Sequence, residues 1–299
     1  GKPMVLMPWQ RDVIDSVYGW VDADGRRRDR RAAVFVAKKN GKSGLMAGLA
    51  LYHLLADAPD LVCERAFAPW PDLEAALRER GLPLVSLESW RPLRAFDVVG
   101  FTLQYELTVT NVLTMLDLGG IPLRAEARGE DDPLVIAGGP GATNPEPTAP
   151  FFDAFLLGEA EDLLPRTLRR LADLRAQGAD RSARLAALEE DEAILVPSRH
   201  ELRADARGRL LRQHPRRRLA RVLDLAASPE PLRFPVPWVE STFDRASVEI
   251  ARGCTQGCRF CQAGYLYRPL REKPVARLVA DVEAHVHACG YDEVSLASL

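Results

Sequence analysis

The chain has 299 residues, 47% hydrophobic and 27% charged, which is ordinary globular composition and sufficient for two domains. Forty basic residues against 42 acidic ones give a formal charge of −2, so charge does not indicate binding to nucleic acid or to an anionic membrane. No apolar run approaches the roughly 18 residues that span a bilayer, and no signal peptide is visible, so we expect a cytoplasmic protein that does not bind membranes.

The first fifty residues contain one β-loop-α unit. A β-rich run at residues 33–37 leads through a polar loop to an apolar-periodic helix predicted at residues 43–55. The loop ends in Gly41-Lys42-Ser43. A strand, such a loop and a helix are the plan of a P-loop, in which backbone N–H groups and a lysine bind phosphates. Gly41, Lys42 and Ser43 are therefore candidate phosphate-binding residues.

This segment, from Pro8-Trp9-Gln10 through Gly41-Lys42-Ser43, resembles the start of a phage terminase large subunit, an ATPase that drives DNA packaging. The general P-loop pattern has glycine where Val36 stands. An ATPase also needs an acidic residue at a second strand end to hold magnesium, followed by a catalytic acid, and neither Asp97 nor Asp153 is so placed. We interpret residues 1–50 as a terminase-like segment fused to another protein. A DNA-packaging ATPase is the alternative function.

Strands and helices alternate along residues 51–180. The pattern predicts strands at 96–101, 134–137 and 154–157, with helices at 73–80, at 106–118 and from 161 onward. Alternation of this kind predicts a doubly wound parallel sheet, in which ligands bind beyond the carboxyl ends of the strands. Gly138-Gly139-Pro140 and Gly158-Glu159 stand there. The alternative is that the glycines only form turns and that Glu159 only caps a helix.

Residues 181–245 are rich in Arg, Pro and Ala and are interpreted as a connecting segment that has room for a hairpin. Residues 246–299 then contain a strand at 247–250, a loop with three cysteines, a helix at 274–288 and a second strand at 293–296. This is one βαβ unit, with which a further domain begins.

The three cysteines of that loop are Cys254, Cys258 and Cys261, spaced C-x3-C-x2-C. The spacing lets a short loop bind three corners of a [4Fe-4S] cluster and leaves the fourth iron open. The open iron can chelate S-adenosylmethionine and pass one electron to its sulfonium, which releases a 5′-deoxyadenosyl radical. Gly253 and Gly257 permit the tight backbone path that such a loop requires.

With Phe260 directly before the third cysteine, this loop resembles that of the radical S-adenosylmethionine (SAM) superfamily. The resemblance implies that Phe260 lies against the adenine and that residues 247–250 begin a partial α/β barrel. It also implies a one-electron reductant of the flavodoxin or ferredoxin type. The alternative is a zinc-stabilised, non-catalytic module whose fourth ligand is Cys289, His285 or His287.

The chain from about residue 64 onward resembles a subgroup of these enzymes that carry a cobalamin-binding domain in front of the barrel. The resemblance implies a cobalamin-binding, Rossmann-like domain at residues 51–180, with Gly138, Gly139, Pro140, Gly158 and Glu159 near the cofactor. The radical SAM barrel then starts at 246–299 and is truncated at the C-terminus, so we expect this chain to be incomplete and inactive alone. The substrate and the catalytic residues stay unknown. The motifs are Glu64-Arg65-Ala66-Phe67-Ala68-Pro69-Trp70, Phe96-Asp97-Val98-Val99-Gly100-Phe101, Ala137-Gly138-Gly139-Pro140, Asn144-Pro145-Glu146-Pro147, Gly158-Glu159-Ala160-Glu161, Gln262-Ala263-Gly264 and Tyr267-Arg268-Pro269.

Overall fold

The computed structural model describes residues 32–37, 55, 60–207, 210–212, 217–228 and 245–298. Six strands of this part form one sheet, in the order β2-β1-β3-β4-β5-β6; β1 to β5 run parallel and β6 antiparallel. The fold is therefore mixed α/β with a mainly parallel sheet. The strands are β1 (Ala32–Ala37), β2 (Val62–Phe67), β3 (Val98–Thr102), β4 (Leu134–Gly138), β5 (Ala154–Leu156) and β6 (Ile194–Leu195).

Strand β1 comes from the terminase-like segment and is internal to the sheet. Its Ala33 pairs with Cys63 of β2 on one side and with Val98 of β3 on the other. The predicted strand at 33–37 is thus confirmed. The predicted helix at 43–55, apart from Leu55, and the loop Gly41-Lys42-Ser43 lie outside the described residues.

Helices pack on both faces of the sheet. They are α1 (Pro71–Arg80), α2 (Val109–Leu118), α3 (Ala160–Ala176) and α4 (Arg181–Glu189). Along β4 the side chains alternate between two hydrophobic clusters, because successive residues of a strand point to opposite faces. Val135 and Ala137 join the cluster that contains the buried side chains of α2, whereas Leu134 and Ile136 join the cluster of α3 and α4.

The ends of α1 and α2 lie at or close to the residues from which the sequence predicts them. Helix α1 ends at Gly81, whose φ of 61° lies in the left-handed region, which glycine adopts without steric strain. The predicted helix at 106–118 is a 3-10 turn (Glu106–Thr108) followed by α2. Within the connecting segment, β7 (Leu202–Ala204) and β8 (Leu210–Arg212) form the hairpin for which there was room. Helix α4, by contrast, was not predicted.

The C-terminal part is one βαβ unit, as the sequence predicts. Strand β9 (Ala246–Arg252) pairs in parallel with β11 (Val294–Ser298), and α6 (Val275–Cys289) connects them. Between β9 and α6 the chain forms the short helix α5 (Ala263–Leu266) and the edge strand β10 (Arg271–Glu272), which is antiparallel to β9. Among the described residues no helix is long and apolar enough to cross a membrane.

Candidate functional site

The cysteine loop begins at the carboxyl end of β9, where Gly253 makes a sharp turn. Its φ is 98°, a value that residues with a Cβ rarely adopt. A Cβ at this position would lie 2.4 Å from the carbonyl oxygen of Tyr267 and 2.5 Å from that of Pro269. Only glycine fits here, so Gly253 fixes where the loop leaves the strand.

The three thiols lie on the mostly exposed loop that follows this turn. Cys258 is exposed, Cys254 and Cys261 are half-buried, and none of the three forms a disulfide. The N–H of Cys261 donates to the carbonyl of Cys258 at 3.2 Å, which keeps these two residues on one tight turn. Across the described residues no three potential metal ligands, these thiols included, are gathered at one point. The loop offers three thiol donors of the right chemistry, but they are not gathered around one point, so holding a cluster requires them to move closer together.

Aromatic residues stand beside the thiols in the sequence. Phe260, which directly precedes Cys261, is 92% exposed, so its apolar ring is largely uncovered. The guanidinium of Arg268 lies over the Tyr265 ring at 4.7 Å and donates to the carbonyl of Gln256 at 3.2 Å. Through these two contacts Arg268 connects the cysteine loop, at Gln256, to α5, at Tyr265.

Cys63 and His285 lie on other elements than the cysteine loop. Cys63 is buried on β2, and burial, with the nearby charges of Glu88 and Glu64, raises the pKa of its thiol far above the ordinary value. Such a thiol is inert. His285, one of the residues considered for a zinc site, is completely buried in α6.

A second candidate site lies at the carboxyl ends of β3, β4 and β5. A cavity of about 50 Å³ opens there between the sheet and α3. Pro140 begins a 3-10 turn (Pro140–Thr143) just beyond this cavity. The structure therefore brings together three of the five residues that were predicted for cobalamin. The cavity is lined by Thr102, Gly138, Gly139, Gly158, Leu163 and Leu164, among others.

Two of these glycines are required by the backbone. Gly139 has a φ of 90°, and a Cβ on it would lie 2.9 Å from the carbonyl oxygen of Leu103. Gly158 has a φ of 105°, and a Cβ on it would lie 2.4 Å from the carbonyl oxygen of Ala220. Ala220 pairs with the end of β5 through hydrogen bonds to Leu157 and Glu159. Both glycines therefore allow neighbouring backbone segments to pack closely at this edge, and this structural role does not depend on a ligand.

Glu159 is engaged by arginines of the C-terminal unit. Its carboxylate is buried and accepts two hydrogen bonds from Arg271 of β10, at 2.8 and 2.7 Å. Arg252, the last residue of β9, lies 3.2 Å from the same carboxylate and 2.6 Å from that of Glu161. The backbone N–H of Val222 also donates to the Glu159 carboxylate, at 2.6 Å. Glu249 in turn pairs with Arg252 at 2.8 Å. We name these five residues the Glu159 ion cluster: Glu159, Glu161, Glu249, Arg252 and Arg271.

Both signs of charge persist in this cluster. Burial alone raises the pKa of the Glu159 carboxyl, but hydrogen bonds from Arg271 and Val222 outweigh it and hold that pKa below its ordinary value. Burial alone lowers the pKa of Arg252, but its hydrogen bond to Glu249 and the charge of Glu161 raise it above its ordinary value. Glu159 and Arg252 are therefore both charged at neutral pH.

Sequence reasoning missed Arg252 and Arg271. A signal for Arg252 was present, because an arginine ends a strand of otherwise alternating pattern directly before the Gly-Cys pair. The partners themselves could not be found, since Glu159 and Arg271 are 112 residues apart in sequence.

The acids considered for an ATPase are engaged in ion pairs. Asp97 pairs with Arg175 of α3, and Asp153 is buried between Arg128 and Arg181. Both carboxylates are therefore engaged by arginines, and Asp153 is buried as well, which disfavours magnesium binding at Asp153.

Comparison with known proteins identifies the family. The sequence profile described as "Radical SAM proteins, N-terminal" matches residues 48–197, half of the chain, and the chain belongs to this family. A second profile, "Terminase large subunit, ATPase domain", matches residues 8–67. The two matches overlap at 48–67, around the join that the sequence indicates near residue 51.

Three known proteins illustrate these similarities. "Uncharacterized protein MJ0966" of Methanocaldococcus jannaschii is 25% identical over 222 residues, which is 73% of this chain and 42% of that protein. The large terminase subunit of Enterobacteria phage HK97 is 44% identical over 55 residues, 18% of this chain and 10% of that protein. A structure of the cobalamin-dependent SAM radical enzyme OxsB, with aqua-cobalamin and SAM bound, matches with a TM-score of 0.50 and 12% identity, over 96% of this chain and 38% of that chain.

The match to OxsB shows a shared fold. The chain spans less than half the length of MJ0966 and of OxsB.

Proposed function

We propose that this chain forms part of a radical SAM enzyme in which Cys254, Cys258 and Cys261 hold a [4Fe-4S] cluster. The proposal is carried by one observation: three thiols without disulfides stand on one exposed loop at the carboxyl end of β9. Membership of the radical SAM family supports it. A cytoplasmic location would keep these thiols reduced, and a flavodoxin or ferredoxin would supply electrons.

The chain's own residues position the reaction. Gly253 sets the exit of the loop, and the contacts of Arg268 with Tyr265 and Gln256 brace it. The exposed ring of Phe260 is free to lie against the adenine of SAM. When bound, the cluster would supply the electron that cleaves SAM to a 5′-deoxyadenosyl radical.

We infer that cobalamin binds across the carboxyl ends of β3, β4 and β5. Parallel sheets bind ligands at such an edge, and glycines at 138, 139 and 158 leave its backbone uncovered. A cavity of about 50 Å³ is too small for the corrin ring, so the ring would lie on the edge and not within the sheet. OxsB, which shares the fold, binds cobalamin and supports this inference.

The first prediction concerns the intact chain. Anaerobic reconstitution should give about four iron and four sulfide per chain, because three thiolates suffice to hold a cubane cluster with one open iron. With a strong reductant, the protein should cleave SAM to 5′-deoxyadenosine at most slowly, without coupling to formation of a substrate-derived product. Iron and sulfide analysis and chromatography of the products measure both.

Each of the two alternatives predicts a different measurement. Zinc without iron would support the non-catalytic module and contradict the proposal. The similarity to the HK97 terminase favours the ATPase alternative, which requires magnesium-dependent ATP hydrolysis that is lost in Lys42→Ala. We expect ATP hydrolysis at background in both proteins.

The second prediction concerns the lower face of cobalt. Among the described residues that line the cavity there is no histidine, and His200 is held by Glu189 in the connecting segment. Bound cobalamin should therefore lack a protein nitrogen on cobalt, a state that favours low-valent cobalt. Electron paramagnetic resonance of the cobalt(II) form tests this. Triplet splitting that persists without the cofactor's own base, and disappears in His200→Ala, would contradict it.

A further inference from the structure

The Glu159 ion cluster joins the two places at which cofactors are proposed. Glu159 directly follows Gly158, which lines the cavity at the end of β5. Arg252 ends β9 and is separated from Cys254 by Gly253 alone. A contact between these side chains therefore links the edge of the sheet to the start of the cysteine loop over a few bonds.

Arg271 extends this link to the far side of the loop. Besides Glu159, its guanidinium donates to the carbonyl oxygens of Val222, Tyr267 and Pro269, at 2.6, 3.1 and 3.1 Å. The carbonyls of Tyr267 and Pro269 are the same atoms that enclose Gly253. One planar side chain with fixed donor directions thus holds three separate parts of the chain in register.

Burial makes this arrangement stiff. Arg271 is 8% exposed and Glu159 is 7% exposed, so water cannot replace either partner. Removal of one charge leaves the other buried without compensation, which is more costly than loss of an exposed pair. The loop is therefore held most firmly while both charges are present.

We propose that Glu159 and Arg271 are positioning residues that hold the cysteine loop at a fixed distance and orientation from the carboxyl edge of the sheet. This role rests on the proposed function, because the loop would hold the cluster and the edge would hold the cobalamin. The mechanical coupling of loop and edge, however, involves the protein chain alone and can be tested without cofactors.

The first experiment uses hydrogen exchange on the protein without cofactors. Glu159→Gln keeps the shape of the side chain but removes its charge and one acceptor oxygen. Amide exchange should become on the order of ten-fold faster at residues 219–223 and 253–270, and stay unchanged in β3 and β4. Asp162→Asn is the matched control, since this carboxylate stands on the same helix, is 82% exposed and pairs with Arg166 on the surface.

A double variant separates pairing from general damage. If the pair acts as a unit, Glu159→Gln with Arg271→Gln should accelerate exchange by less than the combined effects of the two single variants, because each single variant alone leaves the partner's charge buried without compensation. Unchanged exchange in Glu159→Gln, or additive acceleration in the double variant, would overturn the coupling.

The second experiment uses the loaded protein. Iron content should be equal in the unmodified protein, Glu159→Gln and Asp162→Asn, because the three thiols are intact in all of them. Cobalamin content is measured in each protein, so that the comparison is made per bound cobalamin. The magnetic interaction between cobalt(II) and the reduced cluster, measured by electron paramagnetic resonance, should weaken and broaden in Glu159→Gln alone.

The outcomes distinguish the two proposals. An unmodified protein that binds neither cofactor contradicts the proposed function, and hydrogen exchange still decides the coupling. Faster exchange in Glu159→Gln with an unchanged magnetic interaction means that the pair only stabilises the fold, which overturns the positioning role.

Discussion

Replacing Cys258 with alanine is expected to abolish cluster binding. Two thiolates cannot replace three as ligands, so the iron content should fall from about four per chain to background. The side chain of Cys258 is exposed on its loop, and its loss should leave the fold intact. Missing iron would then report a lost ligand and not an unfolded protein, which far-ultraviolet circular dichroism can verify. We expect the same result for Cys254→Ala and Cys261→Ala.

Cys289→Ala is the matched control for this prediction. Cys289 is half-buried at the end of α6, outside the loop, and its replacement should leave iron and sulfide unchanged. Cys63→Ala serves as a second control, because its thiol is buried on β2 and inert. A full [4Fe-4S] signal in Cys258→Ala, or its loss in Cys289→Ala, would show that the ligands are assigned incorrectly.

Elements that bury a continuous apolar run could be predicted from sequence. Strand β3 is covered on both faces, so nearly every residue of it is apolar and local pattern suffices. Strand β2 was missed because Glu64 and Arg65 interrupt its pattern. Glu64 is buried there and accepts a hydrogen bond from the N–H of Ser89, 25 residues away, and no local pattern reveals such a partner.

The same distinction applies to the candidate sites. The cysteine spacing and Gly253 are local features, and the structure places all of them on one loop, so the sequence was sufficient to indicate it. The role of Glu159 was not local. The sequence indicated a cofactor contact or a helix cap; the residue occupies the cap position of α3 without a capping hydrogen bond, and its carboxylate pairs with Arg271 instead. The contact with cobalamin stays a prediction.

A second buried ion group holds the opposite end of the sheet. Asp153 stands just before β5 and is 3% exposed. Its carboxylate pairs with Arg128 at 2.9 Å and with Arg181 at 2.8 Å, and it accepts the N–H of Val135 at 2.7 Å. Burial lowers the pKa of Arg128, and the charge of Asp153 opposes that shift. Asp153 therefore supplies the counter-charge for two buried arginines.

Replacing Asp153 with alanine should lower the free energy of unfolding by about 3–5 kcal/mol, because two buried guanidinium groups lose their counter-charge. Urea unfolding followed by circular dichroism measures this change. Asp117→Ala is the control; its carboxylate is 52% exposed and pairs with Arg78 on the surface, where solvent screens the interaction, so the midpoint should barely move. Equal midpoints for Asp153→Ala and Asp117→Ala would mean that the buried group does not stabilise the sheet.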